Sequence, residues 1–236
     1  MWLTRLAQGL ENWALPPTCA LCAARGAAPR FDLCADCEAD LPPAPQLPLR
    51  VVTVAAEQGH RLGGGLDARW SAFVYAFPVD AMIRELKFAG QVHYARILGL
   101  ACLRRLRNVD WPFGEVDALL PVPLHRSRLS ERGFNQAREI ALPIARGLGL
   151  PLRDGLARRS RATAPQTLMS GPERRRNLCD AFDVWSVAGM SLLLVDDVTT
   201  SGATLTELAR VLKRAGARQA WGLTVACAGS GVLPSR

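Results

Sequence analysis

The sequence predicts an α/β fold organised on a parallel sheet, with a small cysteine-rich segment in front of it. Apolar runs of strand length alternate with helical patterns along residues 70–230, an order that favours parallel strands joined by helices. One run, LLLV at 192–195, has no polar interruption and is typical of a strand buried on both faces. Four cysteines lie within residues 19–37, close enough in sequence to bind one metal ion. We therefore expect an N-terminal helix and metal-binding segment over 1–42, an irregular linker over 43–69 and the α/β domain over 70–230.

The four cysteines follow the pattern C-x2-C-x11-C-x2-C, in which each close pair can offer two thiolates to one ion. Four thiolates in a tetrahedron are a common ligand set for structural Zn²⁺. A redox Cys-x2-Cys pair and an iron–sulfur site are the alternatives, while disulfides are disfavoured in a reducing cytosol. We predict a four-cysteine zinc ribbon whose ligands are Cys19, Cys22, Cys34 and Cys37.

The periodicities of the remaining chain give the order of its strands and helices. The proline-rich stretch LPPAPQLPLR marks the linker, and residues 51–69 show no clear period. Strands are predicted at 71–77, 116–122, near 152–157, at 192–195 and at 221–228. Helices are predicted over 78–90, 98–108, 133–148 and 205–216.

Composition and charge limit the classes of protein to which this chain can belong. Apolar residues make up 49% of the chain, enough for a sizeable core, but no apolar run approaches the ~18 residues of a membrane helix. The first 17 residues lack the continuous apolar core of a signal peptide, so we expect a cytoplasmic protein without membrane insertion. Residues 121–176 carry 12 arginines and four acidic residues, which accounts for the whole net charge of +8. Such a basic segment serves a polyphosphate ligand, a nucleic acid or solubility alone.

The residues that follow the apolar run at 192–195 suit a phosphorylated sugar. Asp196 and Asp197 come first, then a hydroxyl-rich turn over 199–204, then a helix. The start of the helix offers N–H groups and partial positive charge to a phosphate, and Gly202 permits close backbone approach. The carboxylates would repel a phosphate and suit hydroxyl donors or a hydrated Mg²⁺. A plain N-capping turn is the alternative, but it requires neither two acids nor a glycine at this spacing. The pattern therefore predicts a ribose 5-phosphate ligand.

This stretch resembles the 5-phosphoribosyl 1-pyrophosphate (PRPP) loop of type I phosphoribosyltransferases. In that loop an apolar strand leads to Asp-Asp, an apolar residue and Thr-Thr/Ser-Gly-x-Thr. The resemblance implies a phosphoribosyltransferase-like parallel sheet flanked by helices, with PRPP and Mg²⁺ as ligands. It also implies that Asp196 and Asp197 face the ribose hydroxyls as the catalytic pair. The residues that would hold the 5-phosphate are Thr200, Ser201, Gly202, Ala203 and Thr204.

A second passage, PVPLHRSRLSERGFNQA at 121–137, resembles the signature of the ComF family, whose members join a four-cysteine zinc segment to a phosphoribosyltransferase-like domain. The loop at 158–177 is similar to the R-x-x-T-x-x-Q and R-x-x-N patterns of that family, which usually has glycine where Asp180 stands. The resemblance implies a pyrophosphate loop at 121–137 and a flap at 158–177. Lys87 is one of only two lysines in the chain and lies beside a glycine-containing turn. It is either a point charge that the ligand requires or a solvated helix residue. The candidates for pyrophosphate and flap contacts are Lys87, Arg126, Arg132, Gln166 and Arg174.

Two functions of different class remain open at this point. An enzyme would transfer the phosphoribosyl group from PRPP to a nucleophile that the sequence does not identify, mainly by holding the leaving pyrophosphate. None of the three histidines lies in the PRPP loop, and His125 is more typical of a structural residue or a phosphate contact than of a base. A non-catalytic PRPP-sensing adaptor is the alternative, because the ComF resemblance also implies a role in DNA uptake and natural transformation. Its partners would be a helicase-type competence protein or single-stranded DNA, although an aromatic content of 6% favours protein docking over base stacking.

Overall fold

The computed structural model describes residues 18–26, 31–45, 65–161, 181–185 and 187–228. The chain divides into two compact units, Met1–Pro42 and Pro43–Arg236. No helix in these described ranges is long and apolar enough to cross a membrane. The helix predicted in the first 17 residues lies outside the described part of the chain.

The first unit is built from two short turns that carry its cysteines. Thr18 and Arg25 form an antiparallel bridge that closes the first turn. The second turn leads into helix α1 (Ala35–Ala39), and the sulfur of Cys34 caps this helix by accepting a hydrogen bond from the N–H of Cys37. In the described part of this unit the buried apolar residues are Cys19, Phe31, Leu33 and Leu41. This small set leaves little apolar burial to stabilise the unit.

The second unit is organised on a sheet of four parallel strands in the order β1–β6–β5–β2. A separate antiparallel pair is formed by β3 (Ala157–Arg159) and β4 (Phe182–Val184). The two central strands are buried along nearly their whole length, as expected for parallel strands covered on both faces. The strands of the main sheet are β1 (Ala68–Val74), β2 (Ala118–Pro121), β5 (Ser191–Thr199) and β6 (Gln219–Cys227).

Helices flank this sheet and form the rest of the core. Their bounds are α2 (Val79–Phe88), α3 (His93–Arg107), α4 (Arg126–Arg132), α5 (Gln136–Leu148) and α6 (Ala203–Arg214). Helix α5 packs on β5 and β2, and α3 packs on α5. Gly99 permits the close approach of α3 to α5, because a Cβ at this position would lie 2.5 Å from the carbonyl oxygen of Ile140. Helix α6 joins β5 in one apolar cluster through Leu192, Leu194, Leu205, Leu208 and Leu212.

The predicted parallel sheet with flanking helices is confirmed, and the differences concern the ends of some elements and the nature of two others. Strand β1 begins at Ala68, and the N–H of Ala44 donates to the carbonyl of Ala72, so both ends of the predicted linker 43–69 belong to the second unit. The strand predicted near 152–157 is instead a single bridge at Leu152 followed by a 3-10 turn. Strand β5 continues past the apolar run because β6 supplies hydrogen-bond partners as far as Thr199.

The passage after Pro121, predicted as a loop, contains helix α4. His125 caps the start of this helix by accepting a hydrogen bond from the N–H of Ser127, at 3.2 Å. Gly133 ends it with a φ of 80°, a left-handed conformation that glycine adopts without strain. His125 and Gly133 therefore fix the two ends of this short helix, and with them the positions of the arginines that it carries.

Candidate functional site

A cavity of about 290 Å³ opens at the carboxyl ends of the central strands β5 and β6. In an open parallel sheet this edge is the usual place for a ligand. Residues from several parts of the second unit line it: Tyr75, Lys87, Asp196, Val198, Thr199, Thr200, Ser201, Gly202, Ala203, Thr204, Leu205 and Ala228. All five residues predicted to hold a 5-phosphate are therefore in the cavity wall.

The wall formed by residues 200–204 joins β5 to the start of α6. Gly202 stands at the N-cap position with a φ of 77°, and no side chain caps the helix there. The first turn of α6 carries no acidic residue. The Oγ of Ser201 accepts a hydrogen bond from the N–H of Ala203 at 3.4 Å, so the turn folds back on its own backbone. Partial positive charge and hydroxyl groups thus converge on one end of the cavity, which suits an anion.

The two predicted acids do not share one environment. Both lie next to each other in β5, and their carboxyl groups interact. Asp196 lines the cavity, whereas Asp197 is only 3% exposed and forms an ion pair with Lys87 at the end of α2. The prediction that both acids face a sugar diol therefore fits Asp196 better than Asp197, whose carboxylate is already held by a cation.

Burial and charge separate the ionisation of this pair. Burial and the neighbouring Asp197 carboxylate raise the pKa of Asp196 well above its usual value. Burial acts in the same direction on Asp197, but the Lys87 ammonium and hydrogen bonds from neighbouring side chains hold the pKa of Asp197 below its usual value. The pKa values of these two neighbouring acids are therefore displaced in opposite directions.

Two arginines, Arg132 and Arg159, interact with these carboxyl groups, and Arg128 lies near both arginines. Burial lowers the pKa of Arg132, the Asp197 carboxylate opposes that change, and the nearby Arg128 guanidinium adds to it. Arg159 is 9% exposed, and its Cζ lies 5.7 Å from the ring centroid of Phe182. Burial and the Arg128 guanidinium lower the pKa of Arg159, and Asp196 opposes that change. Like charges held this close favour a polyanionic ligand.

Residues 132–136, with the sequence RGFNQ, hold neighbouring elements in position, a role that the sequence alone did not reveal. Asn135 caps α5 by accepting a hydrogen bond from the N–H of Ala137, and its Nδ2 donates to the carbonyl of Val122, each at 3.0 Å. The Nη1 of Arg132 donates to the Oε1 of Gln136 at 2.9 Å, and Gln136 in turn hydrogen-bonds to Asp197. Gln136 therefore connects Arg132 to Asp197.

The pyrophosphate candidates are divided by the structure. Lys87 lines the cavity and Arg132 lies near Asp197, whereas Arg126 is exposed at the first position of α4. Gln166 and Arg174 lie outside the described residues. Sequence reasoning missed Arg159, because a basic run gives no sign of which arginine is buried.

Tyr75 was also missed, although a signal for it existed. It follows the last residue of β1, and its N–H donates to the carbonyl of Cys227 at 2.8 Å. Residues just past neighbouring parallel strands meet at one edge of a sheet, so strand ends alone could have identified Tyr75.

The four predicted cysteine ligands come together in the first unit. Their sulfur atoms all lie within 4.8 Å of one another. Burial raises the pKa of the Cys19 thiol, but hydrogen bonds from backbone N–H groups outweigh it and bring the value to about 6. The sulfur of Cys22 is the main cause that raises the pKa of the Cys37 thiol, followed by Cys34. Four sulfur atoms this close together are the ligand set that a single metal cation would hold.

Comparisons with known proteins match part of the second unit to a family model and most of the chain to named relatives. A family model described as a phosphoribosyl transferase domain matches residues 135–235, which include α5, β5, the 200–204 turn, α6 and β6. The DNA utilization protein YhgH of Salmonella typhimurium is 34% identical over 230 residues, which are 93% of this chain and 94% of that protein. Competence protein F of Haemophilus influenzae is 33% identical over 161 residues, covering 63% of this chain and 69% of its own length. Competence protein ComFC of Bacillus subtilis is 38% identical over 100 residues, 42% and 39% of the two chains. The predicted phosphoribosyltransferase-like fold is confirmed.

Proposed function

This chain belongs to the ComF family, and on that premise we propose that its cavity binds PRPP together with Mg²⁺. The observation that carries the proposal is the arrangement of the cavity wall. The wall combines an acidic side chain, Asp196, with the hydroxyl-rich turn at the start of α6. A ligand with a sugar diol and a phosphate ester matches both features.

The three parts of PRPP would each meet a different group of side chains. The 5-phosphate would lie on residues 200–204 and the ribose hydroxyls near Asp196. The pyrophosphate would lie toward Lys87, Arg132 and Arg159, whose positive charges suit it. Of the two acids, Asp197 would then act mainly by fixing Lys87.

Mg²⁺ fits the donor set as a hydrated ion. A single carboxylate, Asp196, lines the described cavity, so waters and phosphate oxygens would complete the octahedron that Mg²⁺ requires. When bound with PRPP, the ion supplies positive charge to the pyrophosphate. Asp196 is the residue that would hold it or its waters.

Phosphoribosyl transfer follows from this arrangement. The bond between C1 of the ribose and the pyrophosphate oxygen breaks, the electron pair leaves with pyrophosphate, and a nucleophile forms the new bond to C1. The cationic side chains stabilise the charge that develops on the leaving group. His125, which caps α4, is not among the residues that line the described cavity. The described lining residues include no histidine that could accept the proton of the nucleophile. A sensor that binds PRPP without turnover is the second candidate function.

Calorimetry with PRPP and Mg²⁺ tests the binding proposal. Asp196→Ala should weaken PRPP roughly 10- to 100-fold, the effect expected when hydrogen bonds to a charged group worth about 1.5–3 kcal/mol are lost. Asp154→Ala is the matched control, because Asp154 is an exposed acid that pairs with Arg138 outside the cavity. Equal affinity of wild type and Asp196→Ala would contradict the proposal.

A pyrophosphate-release assay with a panel of nucleophiles then separates the two candidate functions. Release above the background of the Asp196→Ala variant supports the enzyme. Tight PRPP binding with no release from any nucleophile supports the sensor.

We also propose that the chain acts in the handling of DNA during uptake, since its relatives are named for DNA utilization and competence. Expression of this chain in a Salmonella typhimurium strain that lacks its DNA utilization protein should restore growth on DNA as a nutrient. The Asp196→Ala variant should not restore it. Failure of well-expressed wild type, where the native protein restores growth, would contradict this role.

For the first unit, we propose structural Zn²⁺ held by Cys19, Cys22, Cys34 and Cys37. The four close sulfur atoms fit a tetrahedral site with all positions filled by protein ligands. Such a site supports a fold and leaves no open position for catalysis. Elemental analysis of purified protein should give one zinc per chain; iron in its place would contradict the assignment.

A further inference from the structure

The side chain of Arg69, on the outer strand β1, extends to the 200–204 turn, the part of the cavity wall that we propose holds the phosphate. In the sheet Arg69 pairs with Gly222 of β6, and its Cγ lies 3.5 Å from where a Cβ on Gly222 would stand. Because Gly222 has no side chain, the arginine stem can cross β6 to reach β5. Its Nη1 donates to the Oγ1 of Thr199 at 3.3 Å. The same nitrogen approaches Gly202 closely, within 2.3 Å of where a Cβ on that residue would stand.

The positive charge of Arg69 lies beside the start of helix α6. The start of α6 already carries the positive end of the helix dipole, where a cation is unfavourable and an anion is favourable. No acidic residue lies in the first turn of α6, and among the residues that the structure describes no carboxylate pairs with Arg69. Arg210, by contrast, is held by both oxygens of Glu207 on the same helix. Two positive contributions therefore meet at Gly202 without a described counter-charge.

We propose that Arg69 is a positioning residue that makes the 200–204 turn selective for a dianionic phosphate ester. This inference rests on the proposed function and extends it, because it concerns the charge class of the ligand. Arg69 contacts two residues of the cavity wall, Thr199 and Gly202, and acts on the ligand through them.

The preference for a dianion follows from simple electrostatics. A phosphate monoester carries about −1.5 to −2 charge at pH 7, whereas a sulfate ester of the same shape carries about −1. Hydroxyl and backbone donors distinguish these two ligands weakly, since their geometry is similar. A fixed guanidinium beside the turn adds attraction in proportion to ligand charge, so the phosphate gains more.

The test compares ribose 5-phosphate with ribose 5-sulfate by calorimetry on the full-length protein at pH 8. Arg69→Met keeps the apolar stem over Gly222 and removes the charge, while Arg69→Lys keeps the charge. Arg84→Met is the matched control, because Arg84 is an exposed arginine on α2 and its loss changes the net charge equally. Arg69→Gln is a second neutral variant in case Arg69→Met does not fold.

The ratio of phosphate to sulfate affinity should fall about tenfold in Arg69→Met, because this variant removes a nearby fixed charge that attracts the dianion more than the monoanion. It should return to within about threefold of wild type in Arg69→Lys and stay unchanged in Arg84→Met. An unchanged ratio in both neutral variants would overturn the inference and leave the proposed function standing. Equal weakening of both ligands without rescue by lysine would reduce Arg69 to a brace for the turn, which also overturns it. If wild type binds neither ribose 5-phosphate nor PRPP, the proposed function fails together with this inference.

Discussion

The two units of this protein hold clusters of acidic groups in opposite ways. In the second unit the chain itself supplies the counter-charge: Lys87 pairs with Asp197 beside Asp196. In the first unit four thiols lie within 4.8 Å, and the pKa of one is lowered to about 6 while the pKa of Cys37 is raised. The four thiols have no described cation beside them and fit the proposed Zn²⁺, whereas the two carboxyl groups have Lys87 beside them.

The two units also differ in how many apolar residues their described parts bury. The second unit buries the leucine cluster between β5 and α6 and the contact of α3 with α5. The described part of the first unit has a few buried apolar residues around its cysteines. Segments of about 40 residues seldom fold on apolar burial alone and depend on metals or disulfides. The first unit should therefore lose its structure with its metal, and the second should not.

The largest expected effect is the loss of metal from the first unit. Cys19→Ser should abolish zinc binding and unfold residues 18–41, because structural zinc contributes about 10–16 kcal/mol in small peptides. Elemental analysis and limited proteolysis measure both changes. Cys102→Ala, at a buried cysteine of α3, is the control and should retain full zinc content. Full zinc content in Cys19→Ser would contradict the four-sulfur site.

The next largest effect is expected when Lys87 loses the carboxylate with which it pairs. Asp197→Asn should lower the free energy of unfolding of the second unit by about 3–5 kcal/mol, since it leaves the Lys87 ammonium without its buried partner. Denaturant unfolding measures this change. Adding Lys87→Met should recover much of the loss. Asp183→Asn, which removes an exposed pair with Arg158, should cost at most about 1 kcal/mol.

A smaller effect of opposite sign is expected at Asp196. Because burial and Asp197 raise its pKa, the folded protein favours the protonated acid. Stability is then lost as the pH rises from the unfolded-state value through the raised folded-state value, and the loss persists at higher pH. Asp196→Asn cannot ionise and should raise the free energy of unfolding at pH 7.5 by about 1 kcal/mol while weakening PRPP. Thermal unfolding from pH 4 to 8 measures this. A wild-type pH dependence in the variant would be inconsistent with the raised pKa.

The smallest effect tests whether the units act independently. Removal of the metal with a chelator should change the affinity for ribose 5-phosphate by less than about twofold, because all residues lining the cavity lie in the second unit. Calorimetry before and after chelation gives the comparison. A tenfold loss that zinc restores would show that the metal-bound unit contributes to the ligand site.

Much of the site was predictable because its signals are local. The strand, turn and helix over 192–214 follow from an apolar run, a glycine and helical spacing within one short stretch. The cysteine cluster follows from its spacing in the same way. The arginines were less predictable: Arg126 is exposed and Arg159 is buried, although both belong to one basic segment. Burial depends on which elements pack around a residue, and the sequence of the segment does not contain that information.

The sequence by itself determined the fold class and predicted the cysteine cluster and the turn at 200–204, since each depends on neighbours along the chain. Only the tertiary structure decided that Asp196 lines the cavity while Asp197 pairs with Lys87 from another helix. It also brought Arg69 to Thr199, a residue 130 positions away. The physical reason is the strand order β1–β6–β5–β2, which makes neighbours of segments that lie far apart in sequence and so sets the charges around the ligand site.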